Sequence, residues 1–227
     1  MEKSSGRFDV PIGQLFRAHP WHGVSIGKDA PAVVTSFIEM VPTDTVKYEL
    51  DKLTGILRVD RPQRFSNVCP ALYGMIPQTY CADRVASLCT RRTGRSDIVG
   101  DEDPLDICVL TEKHIGHGNV LVEAIPIGGL RLIDGNEADD KIIAVLLGDT
   151  TYGECKDISQ CQPGLVERLK HYFLTYKQSP DVDKRVCELA GVYGREDAIE
   201  VIRQSREDYR IAFPDFEQML SDIERKR

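Results

Sequence analysis

The order of β-type and helical segments is the feature that most restricts the fold of this chain. Seven short runs of β-type residues come first, and two helical patterns follow Pro163. The runs cover residues 33–41, 46–50, 56–60, 107–110, 120–125, 129–133 and 142–147. Strands first, with helices gathered in the C-terminal third, predict an α+β, mainly β, fold built on an antiparallel barrel, because a parallel βαβ sheet would alternate the two.

The second and third runs are predicted to form an antiparallel hairpin. They are joined by the segment 51–55, D-K-L-T-G, whose glycine suits a short loop. Alternation along the second run places Lys47 and Glu49 on one face and Tyr48 and Leu50 on the other. One face of this hairpin is therefore charged and the other apolar.

Two helices are predicted after the strands. Leu165, Leu169, Tyr172 and Tyr176 recur at helical spacing, and Pro163 suits the first turn of that helix. The second pattern covers residues 195–210. The length of 227 residues suits a single domain over 1–227, with an N-terminal extension at 1–32 and a partly helical surface insertion at 78–99.

Charge and cysteine content exclude some partners. The net charge of −7 argues against nucleic acid and membrane surfaces, because both select basic faces. Seven cysteines form no C-x-x-C pair, and an odd number does not close a disulfide framework. The first ten residues lack an apolar signal core, and the apolar run 142–147 is far shorter than the ~20 residues that cross a bilayer. We expect a cytoplasmic protein with reduced thiols.

Four negative charges fall within residues 101–106, D-E-D-P-L-D, directly before a β-type run. Their mutual repulsion needs an offset, and closely spaced carboxylates suit a hard divalent cation such as Mg²⁺. A solvated acidic turn is the alternative. An EF-hand is excluded, because the loop positions that need a ligand and a glycine hold Leu105 and Asp106. An aspartyl nucleophile fits poorly, because it would follow a strand rather than precede one.

A second acidic loop holds Asp134, Glu137, Asp139 and Asp140, followed by Lys141. It is either a polar hairpin turn around Asp-Gly or a second set of metal ligands. Two acidic loops at strand ends of one small barrel would converge and hold several metals. The cations available to clamp a phosphate are Lys47, Arg61, Lys141 and Lys177. Taken singly, each is an ordinary surface charge.

The motif D-E-D-P-L-D resembles the signature of the family I soluble inorganic pyrophosphatases. Further motifs of that family recur in order, namely Glu39, K47-Y-E49, V59-D-R61, Y73-G74, Asp134, D139-D-K141 and Y176-K177. The resemblance runs from about Gly27 to about Tyr209. It implies an OB-like five-stranded antiparallel barrel with flanking helices. The implied reaction is Mg²⁺-dependent hydrolysis of pyrophosphate, with several Mg²⁺ per site, Mn²⁺ or Zn²⁺ as substitutes, and a homo-oligomeric enzyme.

The resemblance also implies roles for individual residues. The metal-binding carboxylates would be Asp101, Asp103, Asp106, Asp134 and Asp139, with Glu39 and Glu49 close to the metals and their waters. The substrate-binding set would be Lys47, Arg61, Lys141, Tyr176 and Lys177. Asp103 would be the general base, and Lys47, Arg61 and Tyr73 would complete the catalytic set.

Two positions depart from the family pattern. Cys69 stands where the family usually has a tyrosine, and Gly135 stands where a glutamate commonly follows Asp134. Either Glu137 substitutes for that glutamate or the cavity is less acidic. A non-catalytic metal-binding module and a hydrolase of another phosphoanhydride therefore remain alternative functions on the same fold.

Overall fold

The computed structural model describes residues 17–177 and 187–216. The strands are β1 (Val34–Met40), β2 (Val46–Leu50), β3 (Leu57–Pro62), β4 (Leu72–Met75), β5 (Val99–Gly100), β6 (Asp106–Leu110), β7 (Val120–Asp134), β8 (Glu137–Ala138), β9 (Lys141–Leu146) and β10 (Cys187–Gly194). The helices are α1 (Asp83–Thr93), α2 (Pro163–Thr175) and α3 (Arg195–Ala212), with a 3-10 turn at Ile158–Gln160.

Five strands close into a ring in the order β1, β4, β6, β9 and β7, and β7 pairs back to β1. This ring confirms the predicted mainly β fold class. The prediction that all its strands are antiparallel is wrong for one pair, because β6 runs parallel to β9. The two strands are separated in sequence by the long β7, which crosses over and lets β9 return in the same direction as β6.

Alternate residues of the ring strands pack on opposite sides. Ile107 and Val109 of β6 belong to a cluster with α1 and α3, whereas Cys108 and Leu110 belong to a cluster with α2. Both sides of these strands are therefore buried, which explains their nearly continuous apolar sequence. The side that faces α2 carries the charged groups of the predicted site.

Several sequence predictions need correction. Residues 120–134 form one strand, not two, because a bulge between Pro126 and Gly128 lets pairing with β9 continue through them. β4 and β10 were not predicted. Helices are not confined to the C-terminal third, since α1 lies in the middle of the chain. Within 78–99, α1 buries Val85 and Leu88 on one face and exposes Arg84 and Arg91 on the other.

The hairpin and both C-terminal helices are confirmed. β2 pairs antiparallel with β3, with Lys47 opposite Arg61. Between Lys47 and Tyr48 the register shifts, so Asp60 is the extra residue of a β-bulge. α2 begins at Pro163 and buries Leu169 and Tyr172.

Candidate active site

Asp106 is held from two neighbouring strands. It begins β6 and lies opposite Lys141, which begins the parallel strand β9. The Lys141 ammonium donates to Asp106 and also to Asp139 Oδ1 at 2.5 Å. From β4, on the other side of β6, the Tyr73 hydroxyl donates to Asp106 at 2.6 Å. Burial alone would lower the pKa of Lys141, but Asp106 and Asp139 raise it well above its ordinary value.

The acidic loop before β6 is fixed through its backbone by residues 79–81. The Cys81 amide donates to the Asp103 carbonyl at 2.9 Å, and the Cys81 carbonyl accepts from Glu102 at 3.0 Å. The Thr79 hydroxyl accepts from the Leu105 amide at 2.9 Å. Within the loop, the Asp101 carboxylate also accepts from the Asp103 amide at 3.0 Å. Backbone contacts thus fix most of the loop, and the Asp103 and Asp106 carboxylates pair with lysines.

Asp101 and Glu39 are carboxyls that burial disfavours as anions. Burial, followed by the charge of Asp139, raises the pKa of Asp101 to about 9. Burial, followed by the charge of Asp106, raises the pKa of Glu39 to about 8. Glu39 is the extra residue of a bulge in β1, and it accepts the Leu50 amide at 2.8 Å. A bulge re-aims a side chain, and here it directs a carboxylate into the cavity.

The hairpin supplies cations to the same cavity. Lys47 lies 3.4 Å from Asp60 and 3.7 Å from Glu49. Arg61 also pairs with Asp60, and its guanidinium lies 5.5 Å from the centre of the Tyr176 ring. The bulge at Asp60 thus lets one carboxylate hold both cations in place.

The end of α2 meets the second acidic loop. Lys177 pairs with Asp134, and its ammonium lies 5.5 Å from the centre of the Tyr176 ring. Asp134 lies opposite Glu137 in a β7–β8 hairpin closed by Gly135 and Asn136. Gly135 has a φ of +66°, which suits glycine at this turn. Glu137 contributes to the raised pKa of Asp101, after burial and the larger effects of Asp139 and Asp106.

The structure brings all the sequence-selected residues into one connected group. A cavity of about 60 Å³ is lined by Glu39, Lys47, Glu49, Tyr73, Asp103 and Asp106. The others join it through the contacts described above, namely Arg61, Asp101, Asp134, Asp139, Lys141, Tyr176 and Lys177. A larger cavity of about 210 Å³ lies around Leu110, at the far end of β6, and is lined by none of these residues.

Two residues of the site were missed by the sequence analysis. Asp60 holds Lys47 and Arg61, and Lys52 at the hairpin tip contacts Asp103. Asp60 lies within the motif V59-D-R61, and its position next to Arg61 could have identified it as a site residue. Lys52 follows the end of β2, where alternation no longer predicts its direction. Cys69, the departure from the family pattern, is a core residue whose pKa burial raises to about 12.

A metal would meet oxygen donors of the right type here. Asp101, Asp106 and Asp139 lie around one ammonium, that of Lys141, which shows that this position favours a positive charge. Hard divalent cations prefer carboxylate oxygens. Among residues 17–177 and 187–216, no three His, Cys, Asp or Glu side chains are already arranged to hold one ion.

Comparison with known proteins identifies the family. The model of the inorganic pyrophosphatase family matches residues 36–210. An inorganic pyrophosphatase of Chlamydia trachomatis serovar L2 is 52% identical over 196 residues, which cover 85% of this chain and 94% of that protein. A soluble inorganic pyrophosphatase of Zea mays is 38% identical over 169 residues, covering 74% of this chain and 70% of that protein. The crystal structure of inorganic pyrophosphatase from Thermus thermophilus superposes with a TM-score of 0.70 at 28% identity, covering 84% of this chain and 99% of that one.

A closed strand ring with carboxylates facing lysines and an arginine fits a metal-dependent hydrolase of phosphate anhydrides. The match over most of the chain then settles the family, and the chain belongs to the inorganic pyrophosphatases. Membership implies a divalent metal cofactor and a small-molecule substrate. None of the helices in the described part of the chain has the length and apolarity to cross a membrane.

Proposed function

We propose that this cavity carries out the family's reaction with Mg²⁺ as its metal. The reaction is the hydrolysis of pyrophosphate to two phosphates, and the chain is an inorganic diphosphatase. The observation that carries the assignment of the site is Lys141, whose buried ammonium bridges Asp106 at the start of β6 and Asp139 in the turn before β9. Mg²⁺ suits such a site because it accepts a few carboxylates and keeps several of its waters.

The carboxylates would hold the metals and their waters. This set comprises Asp101, Asp103, Asp106, Asp134 and Asp139, together with Glu39 and Glu49. Mn²⁺ or Zn²⁺ would substitute, since both accept carboxylate oxygens. A bound divalent metal supplies a Lewis acid that lowers the pKa of a water to near neutrality. The charge of the metal would stabilise the ionised forms of Asp101 and Glu39 most, because burial opposes their ionisation.

Four cations and the Tyr176 hydroxyl would bind the two phosphoryl groups. This set comprises Lys47, Arg61, Lys141, Tyr176 and Lys177. Arg61 offers a planar fork that matches two phosphate oxygens, whereas the lysines act as point charges. Fixed cations stabilise the negative charge that grows on the leaving phosphate. Lys47 and Arg61 are held by Asp60, so they are oriented before substrate arrives.

Asp103 would take the proton from the attacking water. Its side chain is 38% exposed and lines the cavity, so a water can reach it. Its loop backbone is fixed by Cys81, which places the carboxylate without occupying it. Holding the base, the water and the phosphorus in place together lowers the entropic part of the activation free energy for hydrolysis.

The test is phosphate release from pyrophosphate by the purified protein with Mg²⁺ and after chelation. We expect release that stops with the chelator and that Asp103→Asn reduces by about 100-fold or more. Asp29→Asn, at an exposed loop aspartate outside the cavity lining, is the matched control and should keep the wild-type rate. Full activity in Asp103→Asn would reject this role. Metal binding without turnover would favour a binding module, and faster release from a nucleotide or polyphosphate would favour another phosphoanhydride.

We also propose a homo-oligomer in the cytoplasm. All seven cysteines are free thiols, which fits a reducing compartment. The hairpin exposes Leu53, Ile56 and Val59, and the loop after it exposes Phe65. Exposed apolar groups of this kind commonly mark contact surfaces. Light scattering after size exclusion would measure the mass, and a monomer at micromolar concentration would reject the oligomer.

A further inference from the structure

Lys52 lies at the mouth of the cavity and contacts Asp103, the proposed base. Its side chain is 46% exposed, and it lines the cavity together with Lys47 and Tyr73. Its partner is therefore a carboxylate that the proposed function needs for both metal and proton. This contact makes Lys52 a competitor for any other cation that approaches Asp103.

The backbone of Lys52 is held firmly. The Asp51 carboxylate accepts from the Thr54 amide at 2.8 Å and from its hydroxyl at 2.7 Å, which closes the loop. The Lys52 carbonyl accepts from His19 Nε2 at 3.2 Å. Gly55, at a φ of +68°, packs so closely that a Cβ there would lie 2.7 Å from His19 Cδ2. The hairpin tip is thus closed on itself and packed against His19.

The side chain of Lys52, in contrast, can change partner. Lys141 is 3% exposed and is held by two carboxylates, whereas Lys52 has a half-exposed ammonium on a long stem. Ion pairs at this exposure contribute little, because water solvates both partners. A divalent cation at Asp103 would therefore displace the ammonium at small cost. Because the Lys52 backbone is held by these contacts, the released ammonium would stay within reach of the cavity that Lys52 lines.

We propose that Lys52 is a further substrate-binding residue, which gives up Asp103 to a metal and then binds a phosphoryl oxygen of pyrophosphate. The proposal rests on the proposed function. It assigns two opposite effects to one side chain. Lys52 weakens metal binding while it holds Asp103, and it strengthens substrate binding once Asp103 has a metal. A residue that merely maintained the fold would strengthen both.

The test compares wild type with Lys52→Met, which keeps the length of the stem and removes the charge. Calorimetry with Mg²⁺ alone should show affinity about two- to fivefold tighter in the variant, since a weak competing pair is gone. Calorimetry with imidodiphosphate, a pyrophosphate analogue, in excess Mg²⁺ should show affinity about tenfold weaker, since a charge-assisted contact is lost.

Lys113→Met is the control, because this exposed lysine pairs with Glu112 and the change removes the same net charge. It should alter neither affinity, and Lys52→Arg should retain most of both. Unchanged or weaker Mg²⁺ binding in Lys52→Met, or unchanged imidodiphosphate binding, would overturn the proposal. Neither titration requires turnover. If the wild type binds imidodiphosphate but does not hydrolyse pyrophosphate, the proposed function is rejected. The affinities for Mg²⁺ and for imidodiphosphate would still decide the role of Lys52.

Discussion

The Tyr73 hydroxyl donates to Asp106 at 2.6 Å, and the same carboxylate oxygen accepts from the Lys141 ammonium. The three residues come from adjacent strands of the ring, so one oxygen is oriented from both sides. Burial, together with the charge of Asp106, raises the pKa of Tyr73 well above its ordinary value, so the tyrosine remains a donor. The geometry of this metal-ligand candidate thus depends on two partners that would not themselves bind metal.

Tyr73→Phe removes one of these donors and keeps the ring. We expect kcat/KM for pyrophosphate to fall about 10- to 100-fold, because one hydrogen bond to a charged group contributes about 1.5–3 kcal/mol. Steady-state kinetics at several Mg²⁺ concentrations would show whether the loss follows metal affinity. Tyr172→Phe is the matched control, since Tyr172 is buried in the same cluster and its hydroxyl accepts only from Gln63 among the bonds described. Equal rates in wild type and Tyr73→Phe would contradict this dependence.

The parts of the fold that sequence predicts are those with a local cause. The β2–β3 hairpin, β6, β9, α2 and α3 follow from alternation, helical spacing and a first-turn proline. β4 was not predicted because it is only four residues long and all four are buried, so its sequence shows no alternation of polar and apolar residues. Its pairing with β1 also depends on Gly74, where a Cβ would lie 1.9 Å from the Phe37 carbonyl oxygen.

The candidate site divides in the same way. The motif at 101–106 is contiguous, so its carboxylates were found from sequence. Lys52 and Asp60 act through contacts made across a hairpin tip and a bulge, and neither a turn direction nor a bulge is visible in residue spacing. α1 was only partly predicted, since it lacks a side-chain cap of its own and receives one from 126 residues away.

That cap is Asp208 of α3, a buried carboxylate that accepts from the amides of Ala82, Arg84 and Val85 at 3.0–3.2 Å. Asp208→Asn removes the charge and keeps the shape, so the free energy of unfolding should fall by about 1–2 kcal/mol. Urea denaturation would measure it. Glu207→Gln, at the exposed neighbour, should change it by less than about 0.5 kcal/mol. An equal effect of both variants would show that capping from α3 contributes nothing.

Arg131 and Asp140 form a buried pair on the side of the ring that faces α1 and α3. Their side chains are 7% and 2% exposed and lie 3.5 Å apart. Asp140→Asn would leave the buried guanidinium with only its longer contact to Asp197, at 4.0 Å, and should destabilise by about 3 kcal/mol. The double variant Arg131→Met/Asp140→Leu should cost less than the sum of its single changes, by at least about 1 kcal/mol.

A double-mutant cycle by urea denaturation measures this coupling. The exposed pair Lys170–Glu167, at 2.7 Å on α2, is the control and should couple by less than about 0.5 kcal/mol. If the changes in the free energy of unfolding at Arg131 and Asp140 are strictly additive, the two side chains do not stabilise the fold through each other. Asp140 lies between Asp139 and Lys141 of the proposed site. Measuring rates of pyrophosphate hydrolysis on the same variants would therefore separate effects on stability from effects on catalysis.

Glu39 gives the stability a dependence on pH. Its pKa is raised from its ordinary 4.5 to about 8 by burial and then by Asp106, so the folded protein binds this proton more tightly than the unfolded chain. The free energy of unfolding should therefore fall as pH rises from 4.5 to about 8. Asp101, with a pKa of about 9 caused by burial and Asp139, acts in the same direction.

Urea denaturation with a chelator, between about pH 5 and about pH 9, would measure the slope. Glu39→Gln should make the fall shallower without abolishing it, since the glutamine oxygen can still accept the Leu50 amide and Asp101 still titrates. Adding Mg²⁺ at the alkaline end should restore stability, because a metal that binds only the folded state stabilises it. A free energy of unfolding that rises with pH in the chelated wild type would contradict the raised pKa values of Glu39 and Asp101. It would mean that both carboxyls ionise in the folded protein without Mg²⁺ to offset their burial.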